Sequence, residues 1–270
     1  MIRIITALLR NTRDALWQPL RSALRQRSLL AVLVRREIRS RSSGTLLGGL
    51  WPLLQPALQV LGFWFLFDVI YGMRLNTGSS FLQYLLVGML PWLCIAEVLT
   101  RASSMLLEFS PLYRRNPFPL ELLPLLIMVI PTVVYGTIYF LFCLFLYGPA
   151  VALASLLIMP TLMLWLLPLC LLLPVLALFA KDFAQAVPFL LMVILYGTPV
   201  LYFPTMLPAS AQFLLWLNPF ADLMALIHGV VQGADVQALN LLRPFLVWLI
   251  LLAPTWLLFR RSLPHVRELL

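Results

Sequence analysis

Glu108-Phe109-Ser110-Pro111-Leu112-Tyr113-Arg114-Arg115-Asn116-Pro117-Phe118-Pro119-Leu120-Glu121 is a polar island in an apolar chain. Three prolines and two adjacent arginines interrupt what is otherwise lipid-like sequence. The apolar runs on either side each exceed the roughly 18 residues that suffice to span a bilayer. A basic, proline-rich stretch between two such runs reads as a loop on the watery side of a membrane. It is the best-formed place for this chain to meet a soluble partner.

The 270 residues are 62% hydrophobic and 11% charged, against about 45–50% and about 25% in soluble domains. The apolar runs are continuous. A membrane barrel would alternate apolar and polar positions, so the chain is an all-α membrane bundle. Working outward from the island, six spans are predicted over residues 48–71, 81–107, 120–147, 151–180, 183–203 and 241–259. Trp51-Pro52 and Pro56 make the first turns of the first span irregular, because proline removes a backbone donor. Pro160, Pro168 and Pro174 interrupt the fourth. Between the fifth and sixth spans, residues 204–237 are apolar but punctuated by Pro204, Pro208, Asn218-Pro219, Gly229 and Gly233. These pieces are too short to cross and read as short re-entrant helices entering the outer leaflet, where non-helical backbone must be buried in protein.

Residues 1–47 carry ten of the arginines. At about 100° per residue, Leu30, Ala31, Leu33, Val34 and Ile38 share one face, and Arg35, Arg36, Arg39 and Ser40 the other. Glu37 falls at the edge of the apolar face, and Arg41 follows. The pattern fits an amphipathic helix lying in the membrane interface, and equally a positively charged flank of the first span. The chain divides into a basic region 1–47, a membrane domain 48–262 and a tail 263–270. With both termini in the cytoplasm, nearly all the cations lie inside and only Arg74 and Arg243 outside, as the positive-inside bias requires.

Several chemistries are disfavoured. The net charge of +9 comes from arginines flanking spans and is no nucleic-acid signature. Cys94, Cys143 and Cys170 fall within apolar runs, which disfavours a disulfide framework or a zinc site. No phosphate-binding G-x-x-x-x-G-K-[ST] loop occurs, so ATP binding by this chain is not expected. His228 and His265 stand alone and read as interfacial. Asp68 with Arg74, and Glu97 with Arg101, read as local charge pairs. No ladder of acids suggests proton coupling, and no cluster of acids, histidines or a nucleophile suggests an intramembrane transferase. Trp51, Gln55 and Gln59 recur one turn apart on the first span. Their amides and ring would suit a hydroxyl-rich ligand, or the amides could bond neighbouring helices. Phe63, Trp64 and Tyr71 continue the aromatic content outward.

The run from Arg35 to Arg41, then Gly44-Thr45-Leu46-Leu47-Gly48-Gly49-Leu50-Trp51-Pro52-Leu53-Leu54-Gln55-Pro56, resembles the start of the first span in type-2 ABC exporter permeases for polysaccharides. Gly88-Met89-Leu90-Pro91-Trp92 with Arg101, the island, Lys181-Asp182 with Gln185, and Thr198-Pro199 leading to Leu207-Pro208 and Asn218-Pro219 continue the likeness in order. Ser42 stands where the family often has an aromatic residue, and Arg114-Arg115 where lysine is commoner. The resemblance implies the membrane subunit of an O-antigen, capsule or teichoic-acid exporter in the bacterial inner membrane. It implies a homodimer with two copies of an ATP-binding cassette subunit, which would carry ATP and magnesium. No cofactor is expected in this chain. Glu108, Pro111, Tyr113, Arg114, Arg115, Asn116 and Phe118 would contact that subunit, with Arg35, Arg36, Glu37, Arg39 and Arg41 on the interface helix. Trp51, Gln55, Gln59, Phe63, Trp64, Tyr71, Tyr196 and Tyr202 would line the channel. A permease for a drug or lipo-oligosaccharide is the alternative with the same architecture.

Overall fold

The structure is a computed structural model and describes residues 2–42, 50–72, 81–115, 117–233 and 238–269. Every regular element among them is helical. In order they are α1 (Ile2–Arg25), α2 (Arg27–Ser42), α3 (Trp51–Trp64, continued as a π-helix over Phe65–Ile70), α4 (Phe81–Arg115), α5 (Leu123–Tyr147), α6 (Pro149–Phe179), α7 (Lys181–Tyr196), α8 (Gln212–Leu217), α9 (Pro219–Gln232) and α10 (Ala238–Leu269). Helices α4 and α6 form the middle of the bundle. Helix α5 packs against both, α10 closes the other side of α6, and α3, α7 and α9 pack on α4. The largest fully buried side chains include Leu85, Met89, Ile95 and Met105 of α4 and Trp256 and Phe259 of α10.

Among the described residues four helices are long and apolar enough to cross a membrane: Phe81–Arg115, Leu120–Tyr147, Pro149–Phe179 and Leu241–Pro264. The pair Ala209–Leu217 and Pro219–Gln232 bends by 92° at Asn218 and would make a fifth if counted as one span. The bend has a local cause. Pro219 cannot continue the helix before it, and the Asn218 side chain restarts one by accepting a bond from the Phe220 N–H. The predicted first and fifth spans fall on shorter helices, α3 with its π-helical end and the 16-residue α7.

Two helix ends differ from the sequence reading, and one helix is added to it. Helix α4 runs through the first half of the island to Arg115, rather than stopping near residue 107. Pro111 is the only helix-breaker of the island before Asn116, it points outward, and Phe109 beside it is buried. The helix ends before Pro117, and the backbone is extended at Pro119. Helix α10 likewise runs past Arg260 and Arg261 to Leu269, so the expected tail begins inside a helix. The N-terminal stretch, which carries no motif, forms α1, packed on α10, α5 and the 3-10 turn Leu120–Leu122.

The rotation of α2 also differs. Leu33 and Glu37 are buried and Leu29, Leu30 and Val34 half-buried, while Ala31 and Ile38, expected on the apolar face, are exposed. The buried stripe is therefore centred between Leu33 and Glu37. An acid turns inward because a cation, Arg101, waits there.

The prolines explain how the bundle is held. A proline within a helix leaves the carbonyl four residues earlier without its N–H partner, and in a membrane neighbouring helices must supply one. Pro91 frees the Val87 carbonyl, and Tyr139 of α5 donates its hydroxyl to it at 3.2 Å. Pro168 frees the Leu164 carbonyl, and Trp248 of α10 donates its indole N–H to it at 2.8 Å. Pro188 frees the Ala184 carbonyl, which lies 3.4 Å from the Ser103 hydroxyl of α4, a longer contact beside that hydroxyl's bond to Thr100. Tyr139→Phe is thus expected to cost roughly 1 kcal/mol. In a Pro91→Ala background the loss should nearly vanish, because that substitution restores the helical N–H. A double-mutant cycle on thermal unfolding measures this, and equal losses in both backgrounds would refute the pairing.

Candidate functional site

Stripes at helical spacing on three helices wall a cavity of about 760 Å³. Trp51, Gln55 and Gln59 come from α3, one turn apart. Trp92, Glu97, Arg101 and Glu108 come from α4, and Pro188, Leu191 and Leu195 from α7. Tyr135 of α5 and Glu37 of α2 also line it. The cavity therefore joins two amides, three large aromatic side chains, three carboxylates and one guanidinium. Arg101 donates from its Nη2 to Glu37 Oε1 at 2.5 Å, with both side chains largely buried. A charge-assisted bond of this kind is among the stronger polar contacts, and it ties α2 to α4. Amides and carboxylates can bond hydroxyls, while the ring faces suit apolar patches of a ligand.

The structure brings Trp51, Gln55, Gln59, Glu37 and Glu108 to this one cavity. It sends the remaining expected lining residues elsewhere. Phe63 stacks on Phe67 at 6.4 Å, and Phe67 lies 6.1 Å from Tyr71 and 5.4 Å from Phe81. These rings form a separate aromatic cluster toward the other end of α3, reaching Tyr84 and Phe203 through Phe81. Trp64 instead donates its indole N–H to Asp68 at 3.1 Å. Arg74, the partner expected for Asp68, lies outside the described residues. Tyr196 is exposed and off the cavity wall, because α7 ends there in the turns around Gly197. Tyr202 is half-buried, and its carbonyl shares the Tyr84 hydroxyl with the Pro199 carbonyl, at 2.9 and 3.0 Å.

On the island, Glu108, Pro111, Arg114 and Arg115 are exposed and Tyr113 is half-buried. Phe118 is a correction. It is only 9% exposed, with its ring edge-on to Tyr113 at 5.8 Å, so it steadies its own turn instead of offering an outward anchor. Asn116 lies outside the described residues, as does the side chain of Arg41. Arg35, Arg36 and Arg39 are exposed on α2, which together with Arg114 and Arg115 makes five outward guanidinium groups.

Two polar clusters escaped the sequence reading. Arg243 of α10 binds Asp222 of α9 at 2.5 Å, donates to the Leu215 carbonyl of α8 at 3.1 Å, and lies 5.9 Å from the Trp216 ring. One side chain thus holds both arms of the bent pair. An acid three residues after Asn218-Pro219 in an apolar segment was the available signal. His228, expected at an interface, is buried and stacked on Tyr84 at 4.2 Å, with Nδ1 3.0 Å from Gln232 Oε1. Gly88 makes room for it: a Cβ there would stand 3.2 Å from His228 Nε2.

Taken together, a long helical bundle, a polar-aromatic cavity beside its central helix and an outward cationic surface define a multi-pass helical membrane protein. The chain belongs to the ABC-2 type transporter membrane family, whose profile matches residues 28–231. It is 22% identical over 209 residues to the O-antigen export system permease protein RfbA of Klebsiella pneumoniae, covering 73% of this chain and 77% of that protein. A second Klebsiella pneumoniae protein of the same name is 23% identical over the same length. The protein of that name from Myxococcus xanthus is 34% identical over 109 residues, 40% of this chain and 41% of the relative.

Proposed function

We propose that this chain is the membrane permease subunit of an ATP-driven exporter of polysaccharide, of the O-antigen class named for its relatives. The observation that carries the substrate class is the cavity: Trp51, Trp92 and Tyr135 beside Gln55 and Gln59 offer ring faces and amides together, as a sugar chain requires. In this reading the chain spans the bacterial inner membrane six times with both termini in the cytoplasm, α3 and α7 included, and the bent pair of α8 and α9 enters the outer leaflet. Two copies pair, which would shelter the exposed apolar residues of α3 and α7, such as Leu58, Leu61, Phe189 and Met192. Two copies of an ATP-binding cassette subunit bind ATP and magnesium and press on the island and on α2. The mechanism is mechanical, and partner contacts must differ in energy between two arrangements of the helices.

Cells lacking this chain are expected to lose surface polysaccharide and to accumulate it inside. They should recover when the chain is supplied again, but not in a strain that also lacks the ATP-binding subunit. Immunoblotting of surface glycan with and without permeabilisation reads the result. Undiminished surface glycan in the deleted strain would end this reading, and a gain in drug sensitivity instead would favour a drug permease.

A further inference from the structure

The family match begins at residue 28, which leaves α1 outside it and without a role. Yet α1 is firmly placed. Ala15 and Pro19 are buried, and the helix packs on α10, α5 and the Leu120–Leu122 turn, at the same end of the bundle as the island. Between α1, α5 and α6 lies a crevice of about 330 Å³. Ala15, Leu16, Pro19 and Leu20 form one wall, and Met128, Val133, Met163 and Leu167 are among the residues facing them. Thr132 is the one hydroxyl in the lining, and it is spent on the Met128 carbonyl of its own helix at 2.6 Å. The crevice is far larger than the roughly 30 Å³ that one water takes up, and such an apolar space does not hold water. Its mouth is rimmed by exposed Leu20, Val133 and Leu164.

The outward side of the same helix is cationic. Arg10, Arg13, Arg21 and Arg25 are all exposed, and Trp17 stands among them 63% exposed. The Arg13 side chain is 74% exposed and reaches the neighbouring Asp14 at 3.4 Å. Apolar crevice, interfacial tryptophan and a row of guanidinium groups on one helix match the two ends of one molecule. We propose that α1 and the α5–α6 groove form a binding site for an anionic phospholipid, with one acyl chain in the crevice and the phosphate on the α1 arginines. Clusters of basic side chains on an amphipathic helix attract anionic head groups in this way. A zwitterionic lipid would fill the crevice but gain little from the arginines. The site does not depend on what the protein exports.

The test is lipid titration of the purified full chain in detergent, with bound lipids counted by native mass spectrometry. Phosphatidylglycerol should bind on the order of tenfold tighter than phosphatidylcholine of the same chains. Arg13→Gln with Arg21→Gln should remove that preference while leaving weak binding of both. Both positions are exposed, so the fold should be kept, and a single elution peak checks it. Val133→Trp, which places a ring at the crevice mouth, should weaken both lipids several-fold. Glycerol phosphate, a head group without chains, should not displace the lipid. Equal affinity for the two lipids in the wild-type chain, or a preference untouched by the arginine pair, overturns the proposal. So does displacement by glycerol phosphate.

Discussion

Replacing Arg114 and Arg115 together with glutamate is expected to abolish both export and association with the ATP-binding subunit, while the chain still inserts and folds. Both guanidinium groups are exposed at the end of α4, so their substitution removes no buried contact. The change reverses four units of charge at one point. Juxtaposed like charges at a docking surface cost several kcal/mol, enough to lower a complex by two or more powers of ten. The flanking features should survive, because Phe118 and Tyr113 pack on each other without either arginine. Co-purification of a tagged ATP-binding subunit with the variant, alongside surface glycan from the same cells, reads the outcome. Undiminished co-purification would show that the pair faces lipid phosphate rather than protein.

The second large effect is expected at the Glu37–Arg101 pair. Removing one member of a buried pair strands the other charge, at about 3–5 kcal/mol where burial is complete. Here the side chains retain 10% and 16% exposure, and Arg101 has further contacts, so Glu37→Leu is expected to cost about 2–3 kcal/mol. Exchanging the two residues, Glu37→Arg with Arg101→Glu, should recover more than half of that. Thermal unfolding of the two single variants and the exchange gives the coupling directly. A Glu37→Leu variant as stable as the parent would mean that the pair is not formed. Because α2 also carries the exposed Arg35, Arg36 and Arg39, loss of this tie should reduce export even in molecules that remain folded.

The long apolar helices were legible because hydropathy needs only local sequence: α4, α5, α6 and α10 each contain a predicted span, although α4 and α10 run past its end. The cavity was partly legible for a similar reason. Trp51, Gln55 and Gln59 repeat at helical spacing, so they share a face whatever that face meets. What that face meets was not legible, since Trp92, Tyr135 and Leu191 are brought there by packing between helices. The rotation of α2 was missed because the partner of Glu37 lies 64 residues away. Tyr196 and Tyr202 lie off this cavity where the chain leaves the helix at Gly197, a stop signalled by nothing stronger than Thr198-Pro199. Helix α1 gave no motif, and its placement rests on contacts with α10, at the far end of the chain.

The captured proline carbonyls have a mechanical consequence. Each is a latch with a direction: Tyr139 hooks α5 to α4 at Val87, Trp248 hooks α10 to α6 at Leu164, and Ser103 reaches from α4 toward α7 at Ala184. Helices joined at such points cannot slide past one another without opening a bond that the lipid does not replace. A load applied at Arg115 enters α4, a rod of 35 residues and about 52 Å. Pivoting that rod by about 5° would sweep one end through roughly 4–5 Å relative to the other. The latches would carry such a swing into α5 and α7, so the bundle behaves as a braced linkage whose joints are its prolines.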